Sequence, residues 1–308
     1  MTRVVFAGTP EFARASLSAL VDAGIVPVAV LTQPDRPAGR GRKLNPGPVK
    51  IYAQSHGMPV LQPESLKDSD IVAELSALKA DLFVVAAYGL LLPPYVLDIP
   101  RASCVNVHAS LLPRWRGAAP IQSAILAGDA QTGISLMRME AGLDSGPVYA
   151  RASIQIGATE TAGDVHDRLA RLGGELLLEH ITGIVDGSAD ACAQDENQVT
   201  YAPRISTADA ELRWVETAVQ LQRVVRAFNP VPGAWTKLAG ERLKCWSAQV
   251  TESSGAPPGT IIRASSNGID VACGDGCLRM TQLQRPGKNR LSASEFAGQI
   301  DSAGMVFG

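Results

Sequence analysis

Two side chains, one able to stabilise developing negative charge and one able to exchange protons, stand two residues apart, in Asn106-Val-His108-Ala-Ser110-Leu-Leu-Pro113-Arg-Trp-Arg-Gly117-Ala-Ala-Pro120. The Asn106 amide N–H could donate to an oxyanion as it develops on a tetrahedral carbon. The His108 imidazole belongs to the side-chain type whose ordinary pKa of about 6.5 allows proton exchange near neutrality. A strand sends residues i and i+2 to one face, so the pair would project together. His56, His166 and His180 have no such company. A third group, Asp144, lies in Gly142-Leu-Asp144-Ser-Gly146. A loop held by two glycines could bring its carboxylate against the ring and fix the tautomer. Spacing alone leaves both open. His108 is a catalytic imidazole or a histidine with one satisfied hydrogen bond, and Asp144 is its partner or an ordinary turn aspartate.

The elements that must position these groups show as short apolar runs alternating with amphipathic stretches. Val4–Ala7 reads as a buried strand, followed by a turn with Thr9 as helix N-cap, Pro10 at the first helical position and a helix to about Ala23. Val26–Leu31, Leu82–Ala87 and Ser103–His108 read as further strands. Helices are predicted over Ile71–Leu78, about Ala118–Ala127, and Thr161–Val185, with strand-like runs on either side of Gly142–Gly146. This alternation predicts an α/β fold with a Rossmann-like, doubly wound, mostly parallel sheet. Such sheets bind ligands outside the carboxyl ends of their strands, where Asn106 and His108 fall. A dinucleotide is disfavoured, because the first turn offers only Gly8 where the fingerprint needs three glycines.

The second half reads differently. Ser188–Pro203 is polar and weakly patterned. The expected organisation is a domain over 1–187, a linker over 188–207 and a second domain over 208–308. A helix is predicted from about Ala208 to Phe228, then strands at Ala234–Leu238, Arg242–Ala248, Gly259–Ala264, Ile269–Ala272 and Leu278–Leu283. Their spacing predicts a small, OB-like β-barrel. Residues 33–49 form a long connection whose glycines and prolines predict no regular structure. There Arg36, Arg40, Arg42 and Lys43 oppose only Asp35, so the stretch is a phosphate clamp or a solvated insertion.

Bulk properties set the frame. The 308 residues suit two domains, and 46% hydrophobic with 19% charged residues is ordinary for a globular chain. No apolar run approaches the ~20 residues that span a bilayer. The N-terminus enters a strand directly, so no export signal is read and a cytoplasmic location is expected. Five cysteines, an odd number, suit a reducing compartment, and no ligand cluster for a metal is evident. The net charge is −2, yet from Arg204 onward 12 Lys/Arg face 9 Asp/Glu. That mild basic bias suits a nucleic-acid partner without proving one.

Taken together, Phe6–Pro10, Thr32–Gly41, Ala87-Tyr-Gly89, Asn106–Pro120, Gly142-Leu-Asp144 and Arg226–Pro230 resemble the folate-dependent formyltransferases, in the branch that acts on methionyl-tRNA. The resemblance covers nearly the whole chain. It implies that Asn106, His108 and Asp144 are catalytic and that Ser110, Leu111, Leu112 and Pro113 contact the folate. It also implies that the loop with Arg36, Arg40, Arg42 and Lys43 engages tRNA, helped by the C-terminal barrel. The implied formyl donor is 10-formyltetrahydrofolate, without a metal, and the implied acceptor is initiator methionyl-tRNA. The pterin is expected between the Tyr88–Pro93 loop and the Gly142 loop, and a monomer with no membrane association is expected. Two departures stand out. Ala109 follows His108 where the family often has glycine, which would matter if that backbone needs positive φ. The stretch Arg204–Trp214 lacks the expected lysines. The rival readings are a formyltransferase for an amino-sugar nucleotide, an inert RNA-binding homologue, and a nicotinamide oxidoreductase.

Overall fold

The computed structural model describes residues 2–38, 43–252, 255–298 and 306–307. Met1–Pro120, Gln131–Gln155 and His166–Ala202 form one compact unit, and Ile121–Ala130, Ile156–Val165 and Pro203–Gly308 form a second. The chain begins with β1 (Val4–Gly8), α1 (Glu11–Asp22), β2 (Ala29–Leu31), β3 (Arg36–Ala38), β4 (Lys43–Asn45), α2 (Pro48–Ser55), β5 (Val60–Leu61) and α3 (Ser69–Ala77). It continues through β6 (Leu82–Ala86), α4 (Pro94–Leu97), β7 (Ser103–His108), β8 (Arg116–Gly117), α5 (Pro120–Ala127), β9 (Gln131–Arg138), β10 (Val148–Gln155), α6 (Ala162–Asp186) and β11 (Tyr201–Ala202).

The first unit holds a seven-stranded sheet in the order β10-β9-β7-β6-β1-β2-β5. The strands from β5 to β7 pair in parallel, and β9 and β10 add an antiparallel edge. β1 and β6 are buried along their whole length, which is why they read as unbroken apolar runs rather than alternating ones. Strand order reverses between β1 and β6, so a crevice opens beyond their carboxyl ends and that of β7. Val5, Leu31, Phe83, Val85 and Cys104 share one core cluster with Leu75 and Val96.

Three local expectations give way here. Thr9 does not cap α1: Pro10 occupies the cap position and no side chain caps it. The Thr9 hydroxyl instead donates to the Tyr88 carbonyl at 3.4 Å and accepts from Gln33 N at 3.2 Å, tying three crevice segments together. The loop expected to lack regular structure contains a short antiparallel ladder in which Arg36 pairs with Asn45, Pro37 with Leu44 and Ala38 with Lys43. Its base is pinned by Lys50, whose ammonium donates to Asp35 and to Gln62 at 2.6 Å each. The polar stretch after α6 is not loose. Cys192 bridges Val148, and β11 pairs in parallel with β8.

In the second unit, α7 (Ala218–Ala227) is followed by β12 (Ala234–Leu238), β13 (Glu241–Thr251), β14 (Ile261–Ser265), β15 (Gly268–Ala272), β16 (Cys277–Gln284), β17 (Leu291–Ser292) and α8 (Ala293–Ala297). The strands form an antiparallel sheet ordered β12-β13-β16-β15-β14, with β17 beside β16. Leu238 bridges Phe307 and Thr260 bridges Val306, so residues 306–307 join the two edges of the sheet. Irregular pairing at Cys245–Ala248 supplies the bend such curvature needs. Leu221, Val225, Ile269, Leu278, Met280 and Phe296 fill the interior. The helix expected from Ala208 starts only at Ala218, because Thr217 and Gln220 form a capping box there.

Candidate active site

β7 ends on His108, and its pleat sets Asn106 and His108 on the same side. The ring is 6% exposed, and its Nε2 lies 3.0 Å from the Trp115 carbonyl. A carbonyl only accepts, so Nε2 carries the hydrogen and the neutral ring keeps its lone pair on Nδ1. Nδ1 faces Asp144 Oδ2 at 3.7 Å. Asn106 Nδ2 donates to Asp144 Oδ1 at 3.4 Å, and Gly117 N donates to Asp144 Oδ2 at 2.9 Å. The three residues singled out by their spacing therefore meet, although Asp144 is 38 positions from Asn106.

Their support is conformationally demanding. Asp144 sits at φ 47° and Trp115 at φ 63°, both in the left-handed region that L residues avoid. Short polar side chains tolerate it, which favours an aspartate at 144. Trp115 is held there by its N–H to Thr200 Oγ1 at 2.9 Å and its carbonyl to His108. Gly117 has φ 121°, and a Cβ there would stand 2.6 Å from the Ala202 carbonyl oxygen, so the close β8–β11 approach requires glycine. Ala109 is not among the positive-φ residues, so the methyl that replaces the family's glycine meets no backbone penalty.

Ser110–Pro113 splits by burial. Ser110 is fully buried and donates to the Arg114 carbonyl at 2.6 Å, while its own carbonyl accepts from Ser135 Oγ at 2.7 Å. Leu112 packs with Met137 and Val148, and its N–H donates to Ser135 Oγ. Leu111 and Pro113 are half-buried. Across the crevice, Tyr88 and Leu92 share an apolar cluster with Met139, and Leu91 and Leu143 are exposed. The Tyr88 hydroxyl is buried and finds no hydrogen-bond partner among the described residues, and burial pushes its pKa up. A cavity of about 460 Å³ lined by Leu97, Ser103, Cys104 and Met139 lies at the amino end of β7 and includes none of the trio.

Arg36 Nη2 donates to Gln33 Oε1 at 2.8 Å. Lys43 lies in β4, and Arg40 and Arg42 fall outside the described residues. Sequence reasoning missed Arg116 and Gln194. Arg116 is 3% exposed and donates to Gln194 Oε1, and Gln194 Nε2 donates to the carbonyls of Asp144 and Gly146. The one available signal was an arginine inside the Asn106–Pro120 segment, and nothing in the polar stretch marked its partner. Among the described residues, no group of three His, Cys, Asp or Glu side chains could hold a metal ion. Among the same residues, no helix is long and apolar enough to cross a membrane.

Residues 2–181 match the model of the formyl transferase domain, and residues 204–300 match that of its C-terminal domain. The chain belongs to the formyl transferase family. Among curated formyl transferases it is 54% identical over 307 residues to a methionyl-tRNA formyltransferase of Methylococcus capsulatus, covering 99% of each chain. It is 53% identical over 309 residues to one of Pseudomonas putida, again with 99% of each chain covered. Solved structures share the fold. An N-formyltransferase from Helicobacter canadensis in complex with folinic acid and dTDP-3-aminofucose gives a TM-score of 0.68 at 18% identity, covering 91% of this chain and 99% of that one. HypX from Aquifex aeolicus, in complex with tetrahydrofolic acid, gives 0.64 at 17% identity and covers 96% of this chain. This chain spans about half of HypX, 47%.

Proposed function

We propose that this formyl transferase moves the formyl group of 10-formyltetrahydrofolate to the free α-amino group of initiator methionyl-tRNA, giving N-formylmethionyl-tRNA for translation initiation. The observation that carries the acceptor is the full-length, 54% identity to a protein of that name. The chemistry is supported by the meeting of Asn106, His108 and Asp144 at the crevice.

In this reading the unprotonated amine attacks the formyl carbon beside β7. Asn106 turns its Nδ2–H from Asp144 to the developing oxyanion. As the new C–N bond forms and the bond to the folate nitrogen breaks, the proton given up by the amine passes through a water oriented by Asp144 to that departing nitrogen, while His108, protonated at Nδ1, supplies a second donor and the Asp144 carboxylate balances its charge. Holding both substrates at the crevice supplies much of the acceleration. Leu111 and Pro113 are the members of the folate segment left accessible to the cosubstrate, while Ser110 and Leu112 shape that segment from within. Arg36, Arg40, Arg42 and Lys43 receive phosphates of the acceptor end, with a domain over 1–187 doing the chemistry and one over 208–308 adding RNA affinity. The enzyme works as a cytoplasmic monomer and needs no metal.

The test is transfer of labelled formyl from 10-formyltetrahydrofolate to methionyl-tRNA, scored as formylmethionine after deacylation, with His108→Ala in parallel. Label on methionine in the wild type, and its near-complete loss in the variant with folate still bound, supports the reading. Near-normal rates in His108→Ala remove the histidine from the mechanism.

A further inference from the structure

We infer that Gln194 and Arg116 are positioning residues for Asp144, fixing the main chain from which its carboxylate reaches Gly117, Asn106 and His108. This rests on the proposed catalytic role of Asp144. Neither matched family segment, 2–181 or 204–300, contains Gln194.

The Gln194 carboxamide is 9% exposed and is used on both sides. Its Nε2 donates to the Asp144 carbonyl at 2.8 Å and to the Gly146 carbonyl at 2.7 Å. Its Oε1 accepts from Arg116 Nε at 3.1 Å and Nη2 at 3.0 Å. That pattern allows one orientation, since a flipped amide would set its NH₂ against the guanidinium and its oxygen against two carbonyls. Arg116 is itself nearly enclosed, and Glu196 balances its charge at 2.7 Å. A buried guanidinium without such partners would be costly to keep.

Residues 116–117 thus reach Asp144 from two directions. The Arg116 side chain holds the main chain of the loop through Gln194, and the Gly117 N–H holds the Asp144 carboxylate directly. Asp144 gains from this because its φ of 47°, although tolerated by aspartate, is a sparsely populated conformation whose carboxylate direction depends on the main chain being held. Docking of the polar stretch is secured separately by the β8–β11 pairing and the Val148–Cys192 bridge, so the Gln194 donors are free to serve the loop.

Gln194→Glu tests this, because it keeps size and the acceptor for Arg116 but replaces both donors with oxygen. The expected result is a kcat for formyl transfer lowered about 10- to 100-fold with KM for the formyl donor little changed, as for a reacting group moved by a fraction of its reach. In an Asp144→Asn background the same change should cost nothing further, because residues acting as a unit are not additive. The Gly117 amide, followed by NMR hydrogen exchange, should lose protection. If Gln194→Glu does not fold, Gln194→Met takes its place. A kcat within twofold of wild type, losses that multiply with Asp144→Asn, or unchanged Gly117 exchange overturns the inference. A wild-type chain that formylates no methionyl-tRNA refutes the functional reading instead, and the Gly117 exchange still decides this one.

Discussion

Asp144→Asn removes one charge and leaves the shape of the site. In the wild type the carboxylate accepts from Gly117 N at 2.9 Å and from Asn106 Nδ2 at 3.4 Å, and it faces His108 Nδ1 at 3.7 Å. The two donors reach different oxygens of the carboxylate, and asparagine replaces one of those oxygens with an NH₂ that cannot accept. A hydrogen bond to a charged group contributes about 1.5–3 kcal/mol. An imidazolium forming beside the carboxylate at that separation gains ~4 kcal/mol at an effective dielectric of about 20. The Asp144 side chain is 15% exposed, so solvent screening trims this figure modestly. Because asparagine keeps one oxygen, the expected loss is about 2–4 kcal/mol of transition-state stabilisation, or roughly 30- to 1,000-fold in rate. The assay is single-turnover formyl transfer with both substrates saturating, so that weakened binding drops out, and a thermal melt checks the fold. A folded Asp144→Asn protein whose single-turnover rate falls less than threefold would refute the role of the carboxylate.

Other perturbations reach different parts of the account. Gly117→Ala should destabilise the chain by about 1–3 kcal/mol, because its Cβ meets the Ala202 carbonyl and its φ is 121°. A melting temperature within a degree of wild type would contradict that. Neutralising Arg40, Arg42 and Lys43 together should reduce the slope of log affinity for tRNA against log salt by about 2–3, since each phosphate contact releases counterions. An unchanged slope removes the loop as a phosphate clamp. Burial pushes the Cys104 thiol up to about 12 and leaves Cys192 exposed, so a thiol reagent at pH 8 should find one fast cysteine in the native chain. The same shift has a sign in stability. The unfolded thiol ionises first, so the Cys104 contribution is present below about pH 9 and is lost as pH rises towards 12.

What could be read in advance follows from how each part is held. β1 and β6 are buried along their whole length, so their positions show as uninterrupted apolar runs, and in β7 the period-two spacing of Asn106 and His108 survives directly into the site. The barrel strands were legible for the opposite reason, being short and separated by glycines and prolines. The supports of Asp144 were not legible. Gln194 and Thr200 act through hydrogen bonds from a stretch with no periodicity, and no propensity encodes a tie across 50 or 85 positions. Thr9 misled because its hydroxyl has two competing uses, and tertiary contacts to Tyr88 and Gln33 win over the helix cap. The β3–β4 ladder was hidden by the prolines and glycines of that stretch, which argue against strands, although three residues of each strand do pair.

The most direct test of the central claim offers the protein two acceptors at once, initiator methionyl-tRNA and a dTDP-linked amino sugar, with 10-formyltetrahydrofolate as the only donor. Formyl transfer to the tRNA alone, abolished by uncharging the tRNA, is the predicted result. Transfer to the sugar with the tRNA left unmodified would keep Asn106, His108 and Asp144 as the catalytic groups and contradict the assignment of the acceptor.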